Sequence, residues 1–240
     1  DRPSIWEMSA NSNGSCPMPL LTRSKISVPT MLGLVVALLS LFLISPILHF
    51  MGAPHGESVA GLVVEWALFA VLVLIIRFGE HLPLASIGLK PLGWRLALAG
   101  IMIGIGLLAL ITVTLQLLPA FGISVARSAA EAKAIIALPL GTRMVIVITA
   151  GIVEETFFRG YPIERLGAVF GSLPFAGLLS LVIFAAAHIS SWGMTQAVIA
   201  FMVGAFLTLL YLWRRNLLLN IIAHIVTDGI ALVLIPAITN

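Results

Sequence analysis

The sequence predicts an all-α, polytopic transmembrane helical bundle, and three observations carry that expectation. Of 240 residues, 60% are hydrophobic and only 10% are charged, where a soluble domain carries about 25% charged residues. The apolar residues fall into about seven runs, each near the roughly 20 residues that a helix needs to cross a bilayer. Gly and Pro stand at the joints between runs, among them Pro54, Pro83, Gly93, Pro119, Gly141, Gly171 and Pro174.

Residues 1–29 read as an N-terminal tail, either disordered or not native, and 30–240 as one transmembrane helical domain. The segments lie near 30–51, 58–77, 95–118, 143–166, 173–190, 195–213 and 216–238. The second holds Glu65, an intramembrane carboxylate with two readings: a structural or lipid-interface role with its proton retained, or a contact to a polar site. The third carries Gly100 and Gly104 one turn apart, with Gly106, a small-residue stripe that suits close helix packing. The fourth is charged in its second half, through Glu154, Glu155, Arg159 and Arg165, and is therefore not a simple span. The fifth ends on Phe184 and His188, and the seventh lines Asn220, His224 and Asp228 along one face.

The formal net charge of +3 comes from few, scattered charges. That excludes a nucleic-acid footprint and leaves a topology signal. With the N-terminus inside, Arg2, Arg23, Lys25, Arg77, Lys90, Arg95, Arg159, Arg165, Arg214 and Arg215 fall towards the cytoplasm, leaving Arg127, Lys133 and Arg143 outside. The bias favours an N-in, C-out chain. Cys16 is the single cysteine and lies in the tail, so a disulfide framework, a Cys-x-x-Cys metal site and a buried cysteine nucleophile are excluded.

Glu154 and Glu155 dominate the functional reading. A charge placed in a bilayer costs several kcal/mol unless it is paired or used. On a helix Glu155 and Arg159 share a face, four residues apart, while Glu154 points roughly 100° away and is left free. His188, His224 and Asp228 come from two further segments, so one polar pocket inside the bundle is expected. Helix rise sets Glu154 and His224 at similar depth, but places His188 about 7 to 10 Å further out. Carboxylate, imidazole and water are the parts of a hydrolase whose nucleophile is water. His-Glu-x-x-His, Gly-x-Ser-Gly and Gly-x-Gly-Asp are all missing, which removes the zinc protease of the His-Glu-x-x-His type and the rhomboid-type and aspartyl-protease readings.

Glu154-Glu155-xxx-Arg159, Phe184-xxx-His188 and His224-xxx-Asp228, in that order, resemble the motifs of the CPBP family. These are the type II CAAX prenyl endopeptidases and bacteriocin-processing proteins, also called Abi. The resemblance covers about 141–235, and the Ser86 to Lys90 stretch is similar to a loop that many members carry. It implies an intramembrane endopeptidase in which Glu154 activates water, His188 holds or deprotonates it, and His224 with residue 228 stabilises the oxyanion. Glu155 and Arg159 would hold the site together by pairing. The family's label of metalloprotease implies zinc on Glu154, His188 and His224 as one option, with a metal-free glutamate mechanism as the other. The family pattern has asparagine or aspartate at the last position; Asp228 either orients His224, ligates a metal beside it, or donates as a neutral acid.

The implied partners are membrane lipid and a membrane-anchored peptide or protein substrate, with no nucleic acid. The implied location is the bacterial inner membrane, with the N-terminus cytoplasmic. Two other classes compete: a scaffold or immunity protein that keeps the polar groups as packing glue, and a proton-coupled transporter. Matching Gly/Pro breaks in two halves, which carriers tend to show, are missing.

Overall fold

The structure, a computed structural model, describes residues 26–50 and 59–239. Most of the expected tail, with Arg2, Cys16, Arg23 and Lys25, and the joint at Pro54 lie outside the described residues. Every regular element among the described residues is helical. The chain runs α1 (Val28–Phe50), α2 (Val59–Leu74) with a π turn at Ile75–Gly79, a 3-10 turn at Leu84–Ile87, then α3 (Trp94–Leu117) with a 3-10 turn at Leu118–Phe121. It continues through α4 (Ala126–Ile136), α5 (Leu140–Thr149), two π segments (Ala150–Glu154 and Thr156–Gly160) and α6 (Tyr161–Phe170). It ends with α7 (Leu173–Trp192), α8 (Met194–Arg214), α9 (Leu217–Gly229), a π turn at Ile230–Leu234 and α10 (Ile235–Thr239).

All seven expected segments are helices, with three corrections. The first begins at Val28, inside the stretch assigned to the tail. Helix α4 was not anticipated from the sequence, because Ala126–Ile136 is too polar for a span and carries Arg127, Glu131 and Lys133. The fourth segment, α5 to α6, is continuous from Leu140 to Phe170 but π-wound at its centre. Four helices are long and apolar enough to cross a membrane: Ala60–Gly79, Trp94–Phe121, Met194–Arg214 and Leu217–Ile238. Val28–Ile44 and Leu173–Ile189 are shorter apolar helices.

The helices alternate in direction, and contacts at both ends fix their register. At one end Glu80 binds Arg165 through a bidentate pair of 2.8 and 3.0 Å, and also accepts from Thr30 and Tyr161. Beside it Glu164 pairs with Arg215 and accepts from Tyr211 at 2.7 Å. The start of α9 docks there, the Leu217 N–H donating to the Gly88 carbonyl at 2.7 Å. At the other end Thr195 donates to the Ser124 carbonyl at 2.7 Å and Arg143 to the Leu232 carbonyl at 3.0 Å. Ile135 of α4 packs there with Leu62, Ile146, Trp192 and Leu232.

Gly104 shows what the small-residue stripe is for. A Cβ there would stand 2.6 Å from the Ala223 carbonyl, and one at Gly100 would stand 3.2 Å from the Leu219 carbonyl, so α3 and α9 touch backbone to backbone. Close approach of this kind is how helices gain packing where lipid gives little hydrophobic drive. Gly106 faces open space and takes no part. The largest core cluster gathers on the π-wound stretch, where Phe157, Phe158 and Tyr161 are almost completely buried. The polar centre is thus set in the best-packed part of the molecule.

Candidate active site

The two π segments meet at Glu155. Wide turns of this kind occur mostly inside helices at functional sites, since they displace side chains from the regular helical face. Glu155 is fully buried and collects three donors. Arg159 Nη1 approaches Oε1 at 3.0 Å, His224 Nδ1 reaches the same oxygen at 2.9 Å, and Asn220 Nδ2 donates to Oε2 at 3.1 Å. A carboxylate oxygen accepts, so His224 Nδ1 carries the hydrogen. The pairing of Arg159 with Glu155 follows the i, i+4 spacing. Glu154, next in sequence, is partly buried and has no hydrogen bond or ion pair among the described residues. It lies within electrostatic reach of His224, Asp228 and Arg159.

Arg159 is also completely buried, with its guanidinium 4.3 Å over the Phe184 ring. Gly204 of α8 makes room for it, as a Cβ there would stand 2.7 Å from Nη2. Phe184 in turn packs on Phe158 at 4.9 Å and edge-to-face on His188 at 4.6 Å. Phe184 is therefore the spacer that links the arginine of one motif to the histidine of another.

This contact removes the depth mismatch of His188. Helix α7 runs opposite to α5 and α6, and the stack of Arg159 on Phe184 sets those two residues level. One turn on from Phe184 is His188, and one turn back from Arg159 is Glu155, so His188 stands level with the two glutamates. Counting from span ends misplaced it in part because α7 extends to Trp192, about 3 Å beyond the expected end. His188 Nδ1 lies 2.8 Å from the Phe184 carbonyl, which accepts, so Nδ1 carries the hydrogen and the lone pair at Nε2 stays open. His224 turns its Nε2 towards Asp228 Oδ2, 3.4 Å away, and the Asp228 side chain is 30% exposed.

The structure brings Glu155, Arg159, His224 and Asp228 into direct contact, with Glu154 and His188 beside them. Neither of these two hydrogen-bonds to the others among the described residues. Three further members were not assigned from sequence. Asn220 had a signal, its place on the face of His224, whereas Phe184's role as spacer and the room at Gly204 depend on contacts between helices.

The zinc option on Glu154, His188 and His224 meets a poor donor geometry. Among the described residues no three His, Cys, Asp or Glu side chains form a group suited to a metal ion. The reason is visible in His224, whose two ring nitrogens both face carboxylates, Nδ1 at Glu155 and Nε2 at Asp228, so that as an imidazolium the ring carries hydrogen on both and offers a metal no lone pair. The donor set as arranged does not fit zinc.

A family model described as Type II CAAX prenyl endopeptidase Rce1-like matches residues 136–230. That stretch contains every residue of the site described above. No curated protein and no solved structure matches the chain.

Proposed function

We propose that the chain, whose residues 136–230 match the model of the Rce1-like type II CAAX prenyl endopeptidases, is an intramembrane endopeptidase of the CAAX type. It hydrolyses a peptide bond in a membrane-anchored peptide or protein, with water as the nucleophile. The observation that supports this most is the contrast between two adjacent carboxylates. Glu155 is saturated by Arg159, His224 and Asn220, while Glu154 is unbonded beside them. A general base needs a carboxylate that no guanidinium clamps.

In this reading Glu154 takes a proton from water as the oxygen attacks the scissile carbonyl, and later gives it to the leaving amine. His188 accepts a hydrogen bond from the same water at Nε2, since its Nδ1–H is spent on the Phe184 carbonyl. His224, held at Nδ1 by Glu155 and carrying a hydrogen at Nε2 as an imidazolium, donates from Nε2 to the oxygen that becomes negative. Arg159 supplies the charge that keeps Glu155 ionised and in place. The lysine and arginine bias supports a cytoplasmic N-terminus, in what we take to be a bacterial inner membrane.

The test uses purified full-length protein in detergent micelles and a farnesylated CAAX peptide with a fluorophore and quencher either side of the scissile bond. Cleavage with a single product mass, unaffected by a chelator, is the expected result. An intact reporter at all protein concentrations would overturn the proposal.

Asp228→Asn separates two roles for that residue. At 3.4 Å from Nε2 and partly exposed, Asp228 orients the ring of His224 by its charge. The variant is expected to fold normally and to lose about tenfold in kcat, the lower range for groups that orient a ligand or base. Full activity on the alkaline side of the pH-rate profile would instead make Asp228 a neutral donor.

A further inference from the structure

We propose that Asn220 is a positioning residue for this reaction, holding the Glu155 carboxylate, and through it the His224 ring, in the orientation that catalysis uses. The role rests on the peptidase reading above, but the contacts that define it do not. Asn220 is 0% exposed. Its Nδ2 donates to Glu155 Oε2 at 3.1 Å and to the Leu207 carbonyl of α8 at 2.7 Å. Both neighbours can only accept, so the amide has one workable orientation; a flip would set Oδ1 against two acceptors.

That orientation leaves a cost behind. Oδ1 has no partner among the described residues, and a buried acceptor without a donor is unfavourable. A leucine of similar size would fill the space without it. The amide's value therefore lies in what it holds and not in packing. Glu155 divides its oxygens: Oε1 receives Arg159 and His224, and Oε2 receives Asn220. Without the amide, nothing among the described residues fixes Oε2, the carboxylate is free to rotate, and His224 Nδ1 loses a stationary acceptor. The bond to Leu207 anchors the amide to α8, a helix that carries none of the three motifs. Asn220 stands one turn before His224 on α9, so any shift it permits is passed to the ring by the shortest route.

Two variants and two readouts test this. Asn220→Leu removes the donor and the orphaned acceptor together; Asn220→Asp keeps the volume and sets a carboxylate against Glu155 Oε2. Each is purified full length and assayed on the same farnesylated reporter. Each is also labelled with ¹⁵N-histidine, the His224 signals being identified by their loss in His224→Gln. Asn220→Leu is expected to fold with a modestly lowered thermal midpoint, because Glu155 Oε2 loses its donor, to lower kcat about 10- to 100-fold as lost orienting groups do, and to leave KM unchanged. Its His224 ¹⁵N signals should move. Asn220→Asp should also shift the pH-rate profile, because two facing carboxylates must share a proton. Wild-type kcat in Asn220→Leu, unmoved His224 signals, or a rate loss matched by loss of folded protein would overturn the proposal. If wild type leaves the reporter intact, the peptidase reading falls. The His224 signals then still decide whether Asn220 sets the ring.

Discussion

Glu154→Gln is expected to lower kcat by about 10²- to 10⁴-fold, the range a positioned general base contributes, while the protein folds as before. The second half of that expectation follows from the absence of any hydrogen bond to Glu154 among the described residues. There is nothing for the amide to break, and glutamine fills the same volume. The measurement is the initial rate on the farnesylated reporter, set beside the thermal midpoint in micelles. Wild-type turnover in the variant would move the base elsewhere in the site.

Glu155→Ala, one position along, should behave in the opposite way and fail as a protein before it fails as an enzyme. Removing this carboxylate strands a fully buried guanidinium and leaves Asn220 Nδ2 and His224 Nδ1 each short of an acceptor. Breaking a buried ion pair from one side costs about 3–5 kcal/mol. That is a large share of the 5–15 kcal/mol that holds an ordinary domain together. Little folded protein should be recovered, as judged by size-exclusion and thermal unfolding. The double variant Glu155→Ala with Arg159→Met removes both charges and should recover much of the lost stability, yet remain inactive because His224 has lost its partner. Folded, unstable Glu155→Ala with an unimproved double variant would show that the pair contributes little to the fold. Arg159→Lys is expected to fall between, since an ammonium keeps the charge but cannot both fork to Glu155 and lie flat over Phe184.

These two predictions separate adjacent residues of the same type, and the sequence supports only part of that separation. Spacing alone joins Glu155 to Arg159, because four residues make one turn whatever surrounds them. It also sets Glu154 on another face and lines up Asn220, His224 and Asp228. The seven apolar segments follow as directly, since a bilayer admits few ways to bury backbone polar groups and a long apolar helix is the simplest.

What the sequence alone determined is therefore what depends on neighbours within a helix: the all-α class, the segments, the Glu155 and Arg159 pair, and the set of polar residues that share a core. What only the tertiary structure decided depends on distances between helices. The level of His188 came from the stack of Arg159 on Phe184, a contact between α7 and the π-wound segment that no spacing along one chain encodes. The turn of His224 towards Glu155 and Asp228 depends on how α9 sits against that segment. Asn220 was in view on its face, but its bonds to Glu155 and Leu207 exist because Gly100 and Gly104 let α3 press α9 close and α8 closes the other side. Helical periodicity is a local property and survives in the sequence; register between helices is fixed by packing and appears only when the helices meet.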